Sequence, residues 1–124
     1  VRYGTAQLRD SGCMVVVGGT AARKMEPGEV ALSAGGVAVG ALARAVAAEI
    51  APKRINVVAP GIVDTPMVAL TGDDRTAQYQ NVTKSHLSKR AGQPDEIAKA
   101  IIFAVDNEFI TGTKIDVDGG WLLS

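Results

Sequence analysis

Few side chains in this 124-residue sequence can move a proton near neutral pH. His86 is the only histidine, Cys13 the only cysteine, and Tyr3 and Tyr79 the only tyrosines. Acid–base catalysis needs a titratable group tuned toward the working pH and within hydrogen-bond reach of the reacting atoms. His86 lies in a polar segment with no His or Cys at metal-ligand spacing, and reads as a surface histidine. No metal site is expected. Cys13 begins an apolar run and reads as a small buried hydrophobe rather than a nucleophile. Asp73-Asp74 reads as a solvated loop pair, and Asp118 as a turn residue beside Asp116. Lys84, Lys89 and Arg90 are too scattered to argue for phosphate binding. Gly18-Gly19-Thr20 follows an apolar run, but Ala21-Ala22-Arg23-Lys24 supplies none of the further glycines of a phosphate-cradling loop. The glycine pair therefore reads as a turn.

The stretch GEVALSAGGVAVGALARAVAAE, residues 28–49, raises a sharper question. Positions 32 and 36 fall four apart on one helical face, where a proton donor and its partner could stand side by side. They hold Leu32 and Gly36, which have no proton to give. Gly35-Gly36 costs roughly 1 kcal/mol per glycine relative to alanine in a helix interior, so a frayed helix start is expected.

The elements that would position such a site follow from periodicity. Residues 1–11 read as the tail of a helix stopped near Ser11-Gly12. Residues 13–17, CMVVV, are continuous, β-branched and bounded by glycines, which suits a strand buried on both faces of a parallel sheet. A polar loop over 20–28 leads to a helix over 29–50. Val39, Leu42, Val46 and Ile50 form its apolar stripe, and Ala34, Ala38, Ala41, Ala45 and Ala48 a small-residue face suited to a second helix. Pro52 ends it, and residues 55–59 form a second strand. Residues 67–90 read as a mobile helical or loop insertion. Pro94-Asp95-Glu96 opens a helix with Ile97, Ile101, Ala104 and Val105 as its stripe. Residues 114–117 form a third strand. Crossovers this long imply parallel pairing and an α/β layered sheet.

Three segments then occur in order: RINVVAPGIVDTPM at 54–67, RAGQPDEIA at 90–98, and ITG at 110–112 followed by VDGG at 117–120. Together they closely resemble the second half of the short-chain dehydrogenase/reductase family. The resemblance runs from the first strand to the end of the chain. It implies an α/β, Rossmann-type doubly wound parallel sheet, here the second half only, with about three strands in a single partial domain over residues 1–124. The family's dinucleotide-gripping first half is expected to be absent. Family members use a serine, a tyrosine and a lysine for catalysis, and these positions match Gly19, Leu32 and Gly36. Ser11 and Ser33 are out of register, and Tyr3 and Tyr79 lie elsewhere. No catalytic residue is therefore expected. Pro60, Gly61, Ile62 and Thr65 resemble the family's loop that meets the nicotinamide end of NAD or NADP. The resemblance implies an oxidoreductase relative that is inactive as this chain. The alternative is an NAD(P)-dependent carbonyl reductase or alcohol dehydrogenase completed by unseen residues or a partner chain.

Composition narrows the partners. Thirteen basic and thirteen acidic residues give no electrostatic case for nucleic acid or an anionic membrane. No uncharged run of about 18 residues is present to span a bilayer. One cysteine suits a reducing, cytoplasmic compartment. The first strand is expected to leave an apolar edge, which recruits other chains, so a homo-oligomer (dimer or tetramer) is expected.

Overall fold

The structure is a computed structural model and describes residue 1 and residues 3–124. Its centre is a three-stranded parallel sheet in the order β1-β2-β3: Cys13–Val17, Arg54–Pro60 and Lys114–Val117. The expected α/β layering and parallel pairing are thus observed. Val57 lies opposite Val16 on one side and Lys114 on the other.

Side chains alternate across a strand, so β2 feeds two cores. Ile55 and Val57 face α1 (Val30–Glu49) and pack with Ala43 and Ala47, and with Val39, Val46 and Ile50 around them. Val58 faces the other way, against Ile97 and Ala104 of α3 (Pro94–Asp106). One helix covers each face, which is the doubly wound arrangement. A short helix, α2 (Gly72–Val82), lies in the segment before α3.

Two buried polar side chains of β2 anchor this frame. Arg54 donates through Nη1 to the carbonyls of Ala104, Asn107 and Ile110 at 3.0–3.1 Å, and through Nη2 to Val105 at 2.6 Å. The carbonyls of Ala104 and Val105 are among the unsatisfied acceptors that a helix leaves at its C-terminus, those of Asn107 and Ile110 lie just beyond it, and a cation there also meets the negative end of the dipole. Asn56, fully buried, donates to Ile110 O at 3.0 Å and accepts from Thr113 N–H at 3.1 Å.

Several expectations are corrected. Among the described residues of 1–11 there is a single turn of 3-10 helix, Thr5–Gln7; the segment has no apolar stripe to stabilise more. β1 is an edge strand, half-buried, with Val17 57% exposed. It is β2 that has both faces covered. α1 runs unbroken through Gly35-Gly36, because packing outweighs propensity. Leu42 is exposed, since the buried line runs through Ser33, Gly40, Ala43 and Ala47. The alanine face carries no second helix among the described residues; all five alanines are exposed. Val105 is exposed on α3. Asp73 and Asp74 occupy the first turn of α2 rather than a loop, where their charge suits the helix dipole. By length and composition α1 is apolar enough to cross a membrane, with a mean hydropathy of 1.7. In this fold it lies on the sheet and carries Arg44.

Arg54→Met keeps the apolar stem and removes the donors to four carbonyls. We expect a loss of about 3 kcal/mol, read by urea denaturation, since hydrogen bonds to a charged group are each worth about 1.5–3 kcal/mol. Unchanged stability would mean that the end of α3 is satisfied without it.

Candidate functional site

Open parallel sheets bind ligands beyond the C-terminal ends of their strands. Three segments meet there. β1 ends in Gly18-Gly19, β2 in Pro60-Gly61, and β3 in Asp118-Gly119-Gly120. The contacts between them are close. Gly61 donates to Val117 O at 3.0 Å, and a Cβ on Gly61 would lie 2.8 Å from the Asp118 Cα. Only glycine lets the two loops approach this far. Thr20, buried just past Gly19, donates its hydroxyl to Pro60 O at 3.1 Å. Asp118 holds its own turn, accepting from Gly120 N–H and Leu122 N–H at 2.9 Å each. Its expected role as a turn residue is observed.

The loop over 60–65 uses most of its backbone groups internally. Ile62 O accepts from Gly92 N–H at 2.9 Å, and Asp64 N–H donates to Gly92 O at 2.9 Å. Tyr79, buried on α2, has its hydroxyl 3.3 Å from Thr65 N–H. Arg75 donates to the Asp64 carboxylate and to the carbonyls of Thr65, Val68 and Leu70. So α2 is the brace that holds Asp64 and Thr65 in place. In this loop, among the described residues, the N–H groups of Ile62 and Val63 and the Thr65 hydroxyl are left without a hydrogen-bond partner. Free backbone donors and a hydroxyl at the strand ends suit an amide-bearing ring, so this part of the site fits a nicotinamide.

The rest of the site does not. Gly19 has nothing within 4 Å of the place its Cβ would take. Leu32 points to solvent, 61% exposed. Gly36 is different in kind. A Cβ there would lie 2.7 Å from the Ala22 Cβ, because the one-turn helix Thr20–Ala22 packs directly on α1. The Ser33 hydroxyl, one residue from Leu32, is spent on Ala21 O at 3.1 Å. The same loop is pinned from the far side, where Arg23 pairs with Asp116 and Lys24 Nζ donates to Trp121 O at 3.2 Å and Ser124 O at 2.8 Å. Among the described residues no group of three or more His, Cys, Asp or Glu could hold a metal ion.

Other polar residues fall into structural roles. Glu96 accepts from both terminal nitrogens of Arg90, at 2.8 and 2.6 Å, and from Gln93 N–H at 2.8 Å. The hydrogen bonds from Arg90, then the one from Gln93, hold its carboxyl down at about 2. The scattered cations are thus partly internal: Arg90 serves the cap of α3, and Lys89 donates to Lys84 O at 2.8 Å. Cys13 is half-buried, its Sγ 3.4 Å from Ala104 O. His86 was expected at the surface and is instead 1% exposed, because the turn after α2 folds under Trp121. Only a tertiary contact buries it, and no local pattern signals that.

A doubly wound parallel sheet with close-packed loops at its strand ends is a ligand-binding framework that several protein families share. The comparisons narrow the choice. The family profile described as Enoyl-(Acyl carrier protein) reductase matches residues 1–122. The chain is 40% identical over 102 residues to a glucose 1-dehydrogenase of Gluconobacter oxydans, covering 79% of this chain and 38% of that protein. It is 31% identical over 115 residues to carbonyl reductase family member 4 of Danio rerio, covering 91% and 46%. A small-chain dehydrogenase crystallised in complex with NADPH superposes with a TM-score of 0.92 at 34% identity, over 99% of this chain and 57% of that one. The chain belongs to the short-chain dehydrogenase/reductase family. It spans less than half the length of these curated relatives.

Placing polar side chains at two of these three positions should therefore have unequal effects. Gly19→Ser is expected to stay within about 0.5 kcal/mol of the parent. Gly36→Lys must displace Ala22 and is expected to cost about 1–3 kcal/mol, the usual range for overpacking. Thermal unfolding of both variants measures this, and a fully stable Gly36→Lys protein would show that Ala22 yields freely.

Proposed function

We propose that this chain is a non-catalytic member of its oxidoreductase family, which keeps the fold and the nicotinamide-facing loop without the proton-transfer set. The packing of Ala22 against Gly36 carries this reading. An exchanged catalytic side chain leaves a hole that chemistry could refill. Here the neighbouring turn has closed over the place where the family's lysine stands. With Gly19 and Leu32 at the other two positions, none of the three carries a side chain that can donate or accept a proton.

The cofactor contacts we assign are Pro60, Gly61, Ile62 and Thr65. Ile62 N–H and the Thr65 hydroxyl would meet the nicotinamide carboxamide, while Pro60 and Gly61 shape the loop. Bound NAD or NADP would supply hydride chemistry. Calorimetric titration with NADH and NADPH, followed by a screen for carbonyl reduction, tests the reading in two parts. We expect binding no tighter than the millimolar range and no turnover above background. Turnover by the purified chain would overturn the proposal.

A second reading rests on a different observation. Among the described residues the outer edge of β1 is unpaired, Val17 is exposed on it, and the curated relatives are about twice as long as this chain. Further residues or a partner chain would then complete the sheet and the dinucleotide site. Unpaired apolar edges recruit other chains. The exposed face of α1 adds Val30, Leu32, Val37 and Leu42 to the surface needing cover. We propose a homo-oligomer, dimer or tetramer, housed in a reducing compartment such as the cytoplasm. Sedimentation velocity across a hundredfold range of concentration should show a species heavier than 12.8 kDa. A clean monomer throughout would rule this out.

A further inference from the structure

His86 is the only imidazole of the chain, and no step of any reading above uses it. It sits in the turn after α2, where its N–H donates to Thr83 O at 3.0 Å and its carbonyl accepts from Lys89 N–H at 3.2 Å. Its ring lies 6.2 Å from the ring of Trp121, tilted by 38°. Next to it, Ser88 N–H donates to Gly119 O at 2.9 Å, and Leu87 sits so close on Gly120 that a Cβ there would lie 2.8 Å away. The turn after α2 and the turn after β3 are thus clasped together, with the imidazole buried in the clasp. The Nε2 atom is fully buried and makes no hydrogen bond.

An imidazolium carries two N–H donors and needs an acceptor for each. Here one nitrogen has none. The charged groups facing the ring come from three elements. Asp118, in the turn after β3, favours the cation, but both its oxygens already accept from its own turn. Lys24, from the loop after β1, and Lys89, from the turn after α2, oppose it. Burial opposes it most, and the net result holds the imidazole below its ordinary value.

We propose that His86 is an acid-released latch: neutral, it holds the turn after α2 against the Asp118–Trp121 turn, and protonated it lets the two separate. The consequence reaches the strand ends, because Asp118 is the residue on which Gly61 packs. Acidification would loosen the backing of the 60–65 loop. The latch is a property of the fold and stands whether or not a dinucleotide binds.

The sign follows from linkage. The unfolded chain takes up this proton near 6.5, whereas the folded chain takes it up only at lower pH. The latch's contribution is complete above that value and is lost as the pH falls below it. With one histidine in the chain, its ring-proton NMR signal is unambiguous, and Trp121 is the only tryptophan. We expect an NMR midpoint below 6.5 and a change in Trp121 emission with the same midpoint. We also expect at least tenfold faster amide exchange over 83–89 and 118–122 at pH 5.5 than at pH 7.5, after correction for intrinsic rates. His86→Gln and His86→Phe should abolish the pH dependence of emission and exchange. A midpoint at or above 6.5, or the same pH dependence in either variant, would overturn the latch. If neither variant folds, the midpoint of the parent protein decides.

Discussion

The guanidinium of Arg54 stands at the start of the central strand and ends on four carbonyls at the C-terminus of α3 and the turn beyond it. That single side chain fixes the helix that leads into the third strand. Asn56, two residues on, fixes the turn between them through Ile110 and Thr113. Burying such groups is tolerable only because they are fully hydrogen-bonded. Once α3 and its turn are set, β3 can pair along β2 in only one register, and Asp118 arrives against Gly61. The geometry at the strand ends is thus dictated from the opposite end of the sheet.

That geometry separates two questions that family resemblance tends to merge. The segments that carry the resemblance are mostly structural devices. Arg54 and Asn56 tie down α3. Arg90 and Glu96 close the cap at its start. Gly112 passes within 3.4 Å of Ala47 at its virtual Cβ, and Asp118 folds its own turn. All can persist with or without the chemistry, because each is engaged in packing. A fold supports an inference about ancestry, and function has to be argued from the site.

The legible parts of the sequence were those set by local periodicity. The strands at 13–17, 55–59 and 114–117, the helix opened by Pro94, and the parallel order all follow from runs and turns along the chain. What stayed hidden depends on who neighbours whom. The run CMVVV looks doubly buried, yet an edge position leaves Val17 in solvent. Leu42 looks like core by spacing, but α1 meets the sheet along its small residues, Gly40, Ala43 and Ala47. His86 sits in a polar segment and is nevertheless covered by a turn more than 30 residues away. At the candidate site, the lack of proton donors at 19, 32 and 36 was legible. The reason Gly36 differs from Gly19 was not, since it lies in Ala22, fourteen residues earlier.

The difference between those two glycines bears on what each position accepts. A glycine with open space around it, as at position 19, leaves room for a side chain. A glycine whose absent Cβ would fall on a neighbour, as at position 36, is required by its surroundings. Cores are packed too densely for a change at such a position to be local. Ala22 could approach α1 only because position 36 is bare, and the approach is held from the other side by Arg23 on Asp116 and Lys24 on Trp121. The loop, the helix and the last strand therefore share one arrangement. A side chain added at position 36 would set the helix against the loop and the last strand together.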